Sequence, residues 1–331
     1  MRGGSDPERN PETLRYYSLS LAHLRERLNS AVDSTSDGVI AHILSHLCLC
    51  IRSQDWAGWK AHMVGLAAVS SRRDGLAHLG RGVNSCILLL DLGGSIVQDT
   101  NPQLPLPSYL PPPCKTSLKN LPLRLQELLS RLDSDSIAMT HTTRALEKIF
   151  FVANEVNTKG QSPLFWRRDE DGMSLLGPCI HFLLSMPRLS EKLGATVGSD
   201  ELITEMVRLV GLRLMSRLKA MFSFLAPEQA RLESRLSRFT VSYSRYIDGP
   251  YRDLKVWALV TASLLQSGGG RDVYLDEIRR DMAATGETDA TACVRIAKDF
   301  IWFGILGKAG ADELTREVAL YSDEPAGHKG S

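Results

Sequence analysis

His42, His46 and Cys50 stand four residues apart. On a helix that spacing puts all three on one face. Three such ligands with an open position would be the geometry of a catalytic zinc site. The surrounding residues do not complete it. Ile43 follows His42, so there is no HExxH pattern, and no carboxylate base stands nearby. The three are therefore expected to be half-buried or surface side chains opposite a stripe of Ile40, Leu44 and Leu47. Cys48 and Cys50 are too close in sequence for a CxxC redox or zinc pair.

Other chemical motifs fail in similar ways. Gly93-Gly94-Ser95 continues into Ile96-Val97 and is not a nucleophile elbow. Gly268-Gly269-Gly270-Arg271 is too bare for a phosphate loop and reads as a turn between helices. Asp169-Glu170-Asp171-Gly172 resembles the front of a calcium loop, but Ile180 stands where the bidentate Glu is needed. A solvated acidic loop is expected there. Arg213, Arg217, Arg231, Arg235, Arg238 and Arg245 are interleaved with apolar positions, as on exposed helix faces; a strip for phosphate or a partner is the sharper alternative. No catalytic residue, cofactor site or metal site is assigned.

The elements that would carry these residues read as helices. Leu14, Tyr17, Leu21, Leu24 and Leu28 step by three and four. A second helix is expected over Asp37 to Ile51. Asp55 caps a third, with Trp56, Trp59, Met63 and Leu66 inward. Val83 to Val97 is apolar almost all round, as a central helix would be. Gly93 and Gly94 inside it cost about 1 kcal/mol each, so a second helix should cross closely there. Residues 101–114 are proline-rich and read as a surface connection, with docking to a proline-recognising module as the alternative. Helices are expected over Ser117–Leu132, Ser134–Asn157, Ser174–Ser185, Ser199–Leu225, Pro227–Tyr246, Tyr251–Gln266, Val273–Ala284 and Ala290–Ile305. Residues 158–173 are polar and loop-like. Along Ser199–Leu225, Ile203, Val207, Val210, Leu214, Leu218, Met221 and Leu225 form the stripe, and Arg208, Arg213 and Lys219 fall off it.

The fold expected is all-α: a single globular domain of roughly 12–14 helices over residues 12–320, with disordered ends at 1–11 and 321–331. The 331 residues carry 39 Lys and Arg against 38 Asp and Glu. A net charge of +1 argues against a domain built to grip nucleic acid. No apolar run is long enough to span a membrane. The six cysteines, Cys48, Cys50, Cys86, Cys114, Cys179 and Cys293, are scattered and read as reduced, buried small hydrophobes.

One segment is more specific. Trp56 to Gly80 reads WAGWKAHMVGLAAVSSRRDGLAHLG, followed by an apolar helix ending LLLDLGGSIV and then TNPQLPLP. This resembles the fungal-specific transcription factor domain that lies downstream of zinc binuclear clusters. His62, Gly65 and Leu66 match its His-x-x-Gly-Leu element. Arg73, Gly75, Leu76 and Leu79 match the Arg-Gly-Gly-Leu-like turn that follows, with Asp74 where the family often has Gly. Asp91 and Pro102, Pro105 and Pro107 complete the order. Physically these are fold-forming residues. Gly75 permits a left-handed turn, Gly65 a close helix crossing, and His62 a bond to a neighbouring carbonyl.

The resemblance implies a regulatory region, not an enzyme, acting in the nucleus through protein partners, with a homodimer and a small-molecule effector as further possibilities. The family's cluster of six closely spaced cysteines is not matched, since the first cysteine is Cys48. Direct DNA binding by this chain is therefore not expected. A helical scaffold and a helical enzyme of specialised metabolism are the alternatives.

Overall fold

In the computed structural model, residues 11–73, 75–76, 78–110, 121–131, 136–167, 169–189, 197–247, 249–266 and 270–320 are described. The expected disorder at both ends falls outside these residues, except that Pro11 already begins the first helix. Cys114 also lies outside them. Among the described residues there are thirteen α-helices and no strand. The chain divides into two compact units, Met1–Pro111 and Pro112–Ser331.

The first unit holds α1 (Pro11–Asn29), α2 (Asp37–Ser53), α3 (Trp56–Arg72) and α4 (Arg81–Gln98). Ser36 caps α2 by accepting from the Val39 amide, and Asp55 caps α3 by accepting from the Gly58 amide. One core joins the four helices: Leu24 from α1, Ile40, Ile43 and Leu47 from α2, Trp59, Met63 and Leu66 from α3, Ile87 and Leu90 from α4. The close crossing expected at the α4 glycines is real at Gly94. A Cβ there would lie 2.0 Å from Cε2 of Trp59. The indole is held in place because its Nε1 donates to the Leu90 carbonyl at 3.0 Å.

The second unit holds α5 (Leu123–Arg131), α6 (Ile137–Lys159), α7 (Asp169–Ser185), α8 (Ser199–Met221), α9 (Gln229–Tyr243), α10 (Arg252–Leu265), α11 (Asp272–Thr285), α12 (Thr291–Phe300) and α13 (Lys308–Leu320). Helices α8 and α10 are buried on nearly every side and form its axis. Helices α6, α7 and α9 pack on α8, and α11, α12 and α13 on α10.

Several elements depart from the sequence expectation. Residues 158–173 are not one loop: α6 runs to Lys159 and α7 begins at Asp169. The acidic stretch opens α7, where Glu170 and Asp171 favour the positive end of the helix dipole. Helix α8 stops at Met221, short of Leu225. Ser223 takes the left-handed conformation (φ 64°) and the Phe224 amide reaches back to the Lys219 carbonyl at 3.0 Å. Leu225 is then 65% exposed. Helix α12 ends at Phe300, not Ile305, because Ile301 turns extended and gives its carbonyl to Nε1 of Trp257 at 2.8 Å. Helix α13 was not foreseen.

The basic residues off the α8 stripe are not on a solvated face. Arg208 is fully buried and donates twice to Glu205, each at 2.7 Å. Arg213 is buried and donates to the carbonyls of Gln229 and Leu265 at 3.1 Å each. Lys219 pairs with Glu228 at 2.7 Å, with both side chains at zero exposure.

Candidate functional site

In the first unit, α4 carries a row of residues that meet the proline-rich segment. Asp91 is fully buried on α4. Its Oδ1 and Oδ2 accept from the Gln103 amide at 2.9 and 3.1 Å, and Oδ2 accepts from the Leu104 amide at 2.9 Å. Ser95 Oγ adds a bond at 3.3 Å. A segment rich in proline has few backbone donors to place, and this carboxylate takes two of them. Beyond that anchor, Ser85 Oγ meets the Tyr109 hydroxyl at 3.2 Å, and the Leu110 amide donates to the Pro107 carbonyl at 3.1 Å.

The turn after α3 closes the other side. Gly75 has φ +97° and donates its amide to the Ser70 carbonyl at 2.9 Å. Asn84 of α4 fixes the turn with Nδ2, donating to the carbonyls of Leu79 at 2.8 Å and Leu76 at 3.2 Å. Between turn, helix and segment lies a cavity of about 200 Å³. Ile87, Leu88, Leu104, Leu106, Pro107 and Tyr109 supply most of its apolar wall. The polar groups at its edge, Asn84, Ser108 and the Tyr109 hydroxyl, can orient a ligand. With Asp91 held by backbone amides, no residue of the wall is placed as a nucleophile with a base beside it. A wall of this composition suits a small, mainly apolar molecule.

A second polar feature lies along the seam of α1, α2 and α3. The rings of His42 and His46 stack with centroids 5.2 Å apart, and His46 stacks on His62 at 4.9 Å. Tyr17 meets His46 edge-on at 5.2 Å. Ser20 Oγ lies 2.7 Å from His42 Nε2 and 3.1 Å from His46 Nε2. His46 Nδ1 is buried with no hydrogen-bond partner. The arrangement that leaves no buried N–H unpaired has His46 Nε2–H donating to Ser20, whose hydroxyl donates to His42. Burial, with His62 and His42 adding like-charge repulsion, lowers the His46 pKa to about 4. Burial pushes the Cys50 thiol up to about 11. His46 and Cys50 are thus core groups, contrary to the half-exposed position expected for them, and only His42 is half-buried. No set of three metal-ligating side chains converges among the described residues.

The eight motif residues are divided between these features. Gly75, Asp91 and Pro107 meet at the cavity. Leu66 is fully buried, and Leu79 packs partly buried against the same core. Arg73 ties the turn to the start of α2 through Asp37 at 2.6 Å. His62 stacks on His46, where a bond to a backbone carbonyl was expected. A Cβ at Gly65 would meet nothing within 4 Å, so no close crossing requires glycine there. Tyr17 and Ser20 were missed as partners of the histidines, because their neighbourhood depends on how α1 lies on α2. Tyr109 was missed at the cavity, although an aromatic inside a proline-rich run was a usable signal. No protein-family model matches the chain, and neither a curated protein nor a solved structure matches it.

Proposed function

We propose that the chain is a regulatory region of the fungal transcription factor type, non-catalytic, acting in the nucleus through partner proteins and a small apolar effector. The observation that carries this reading is the cavity beside α4. The turn at Gly75, the buried Asp91 and Pro107 belong to separate stretches of the motif-bearing segment, yet they build one pocket wall. The volume, about 200 Å³, suits a compact effector, below the usual range for drug-sized ligands. The near-zero net charge supports a role through proteins or effectors over one through DNA contacts.

The test fuses the chain to a heterologous DNA-binding module and reads a reporter gene. A change in transcription of several-fold is expected. Leu88→Trp, which fills the cavity from α4, should abolish the response to any small apolar compound that stabilises the wild-type chain in a thermal-shift screen. A silent reporter, with no compound raising the melting temperature of the wild-type chain above that of Leu88→Trp, would overturn the reading and favour a scaffold.

A further inference from the structure

The cavity beside α4 is apolar along most of its wall, but its rim carries a cation. Arg81, Asn84, Leu88 and Asp91 follow one another at spacings of three and four, so they share one face of α4. Asn84, Leu88 and Asp91 line the cavity. Arg81 is the next position on that row and is exposed to solvent. Its guanidinium lies over the ring of Tyr109, a wall residue, 5.8 Å from the centroid. The ring is held in turn, because the Tyr109 hydroxyl meets Ser85 Oγ at 3.2 Å, one turn along α4 from Arg81. Arg73, at the turn after α3, is spent on Asp37. Among the described residues no carboxylate takes up Arg81.

The two ends of the row therefore differ in charge. Arg81 and Asp91 are separated by about 15 Å along the helix axis, from the rise per residue of an α-helix. The Asp91 carboxylate is engaged by the Gln103 and Leu104 amides at its own end. We infer that the ligand of this cavity is a small monocarboxylic acid, with its apolar body inside and its carboxylate on Arg81. The inference rests on reading the cavity as an effector site. A cavity of roughly 150 Å³ takes up benzene, so about 200 Å³ holds a single ring or a short branched chain. A planar guanidinium meets a carboxylate through two parallel N–H···O bonds and stays charged throughout the physiological range. One cation balances the single charge of a carboxylate, where a phosphate monoester would bring nearly two. A cationic ligand would meet Arg81 as a like charge.

The experiment titrates the full chain by calorimetry with benzoate, phenylacetate and 3-phenylpropanoate, each beside its neutral amide. At neutral pH the best acid should bind the wild-type chain at least about tenfold more tightly than its amide. Arg81→Gln, a change at an exposed position, should bring the acid down to the affinity of the amide and leave the amide unchanged. Arg81→Lys should keep part of the preference, since the charge remains without the planar fork. Added salt should weaken the acid and spare the amide. Leu88→Trp should exclude both. Amides bound as tightly as acids, or a preference that Arg81→Gln leaves intact, would overturn the carboxylate assignment while the apolar cavity stands. Acids and amides that all fail to bind, or that bind Leu88→Trp as they bind the wild-type chain, would instead count against the cavity as an effector site, and the inference would fall with it.

Discussion

A single ring shows how burial sets a pH response. His46 is 1% exposed and is held neutral, with its pKa lowered from 6.5 to about 4. Tyr17 faces it from α1, His42 from α2 and His62 from α3, and the N-cap Asp55 acts on His62 and Cys50 beside them. Protonation would add a buried N–H at Nδ1 without an acceptor and a charge against two other imidazoles. Because the unfolded chain binds this proton more readily, stability is full above pH 6.5 and falls as the pH drops toward 4. The loss should approach roughly 2–3 kcal/mol. His62 is shifted in the same direction, chiefly by burial, and adds to the slope. Thermal melts between pH 7.5 and pH 5 should show the decline. His46→Phe, which keeps a stacking ring but cannot titrate, should flatten it. A melting temperature independent of pH in the wild-type chain would refute the account.

Within elements, glycine and buried charge give effects of opposite sign at similar-looking positions. Gly65 and Gly94 both sit inside helices. Alanine at Gly65 meets open space and should stabilise by about 0.5–1 kcal/mol through helix propensity. Alanine at Gly94 gains the same propensity but drives a methyl into Trp59, which the Leu90 carbonyl holds in place. Overpacking of that kind costs about 1–3 kcal/mol, so Gly94→Ala should be net destabilising in urea unfolding. Stabilisation at Gly94 would show that the crossing can relax. In the second unit, Lys219 and Ser216 on α8 both bond Glu228 just before α9. Lys219→Met strands a buried carboxylate and should cost about 3–5 kcal/mol, whereas Lys219→Met with Glu228→Leu should recover most of it. A double variant no more stable than the single would mean that the pair is worth more than its desolvation.

What could be read from the sequence follows from the same physics. Long apolar periodicities over α2, α3, α4, α8 and α10 announced themselves. Helix α13 did not: among its described side chains only Ala311, Leu314 and Val318 are buried, in a short polar stretch. The burial of Arg208 was foreshadowed by Glu205 three residues earlier. That of Lys219 was not, since Glu228 reaches it only through the α8–α9 turn. The site was half legible. His42 and His46 share a face by spacing alone, but Ser20 and His62 join them only through the packing of three helices.

At the scale of the whole molecule, charge decides which partners are open to the chain. Its 39 basic residues nominally exceed its 38 acidic ones by one, and many are spent internally. Arg208, Arg213, Lys219 and Lys255 are buried. Arg27, Arg73, Arg124, Arg252, Arg271, Arg279 and Arg280 are paired with carboxylates. With these cations buried or paired, fewer remain to release counterions from a duplex, so affinity should be weak and only shallowly salt-dependent. Fluorescence anisotropy with a labelled duplex at physiological salt should give dissociation constants no tighter than about 10⁻⁶ M, with unrelated duplexes competing equally. Sequence-selective binding near 10⁻⁸ M, where dedicated DNA readers operate, would contradict a regulatory region that depends on other proteins to reach a promoter.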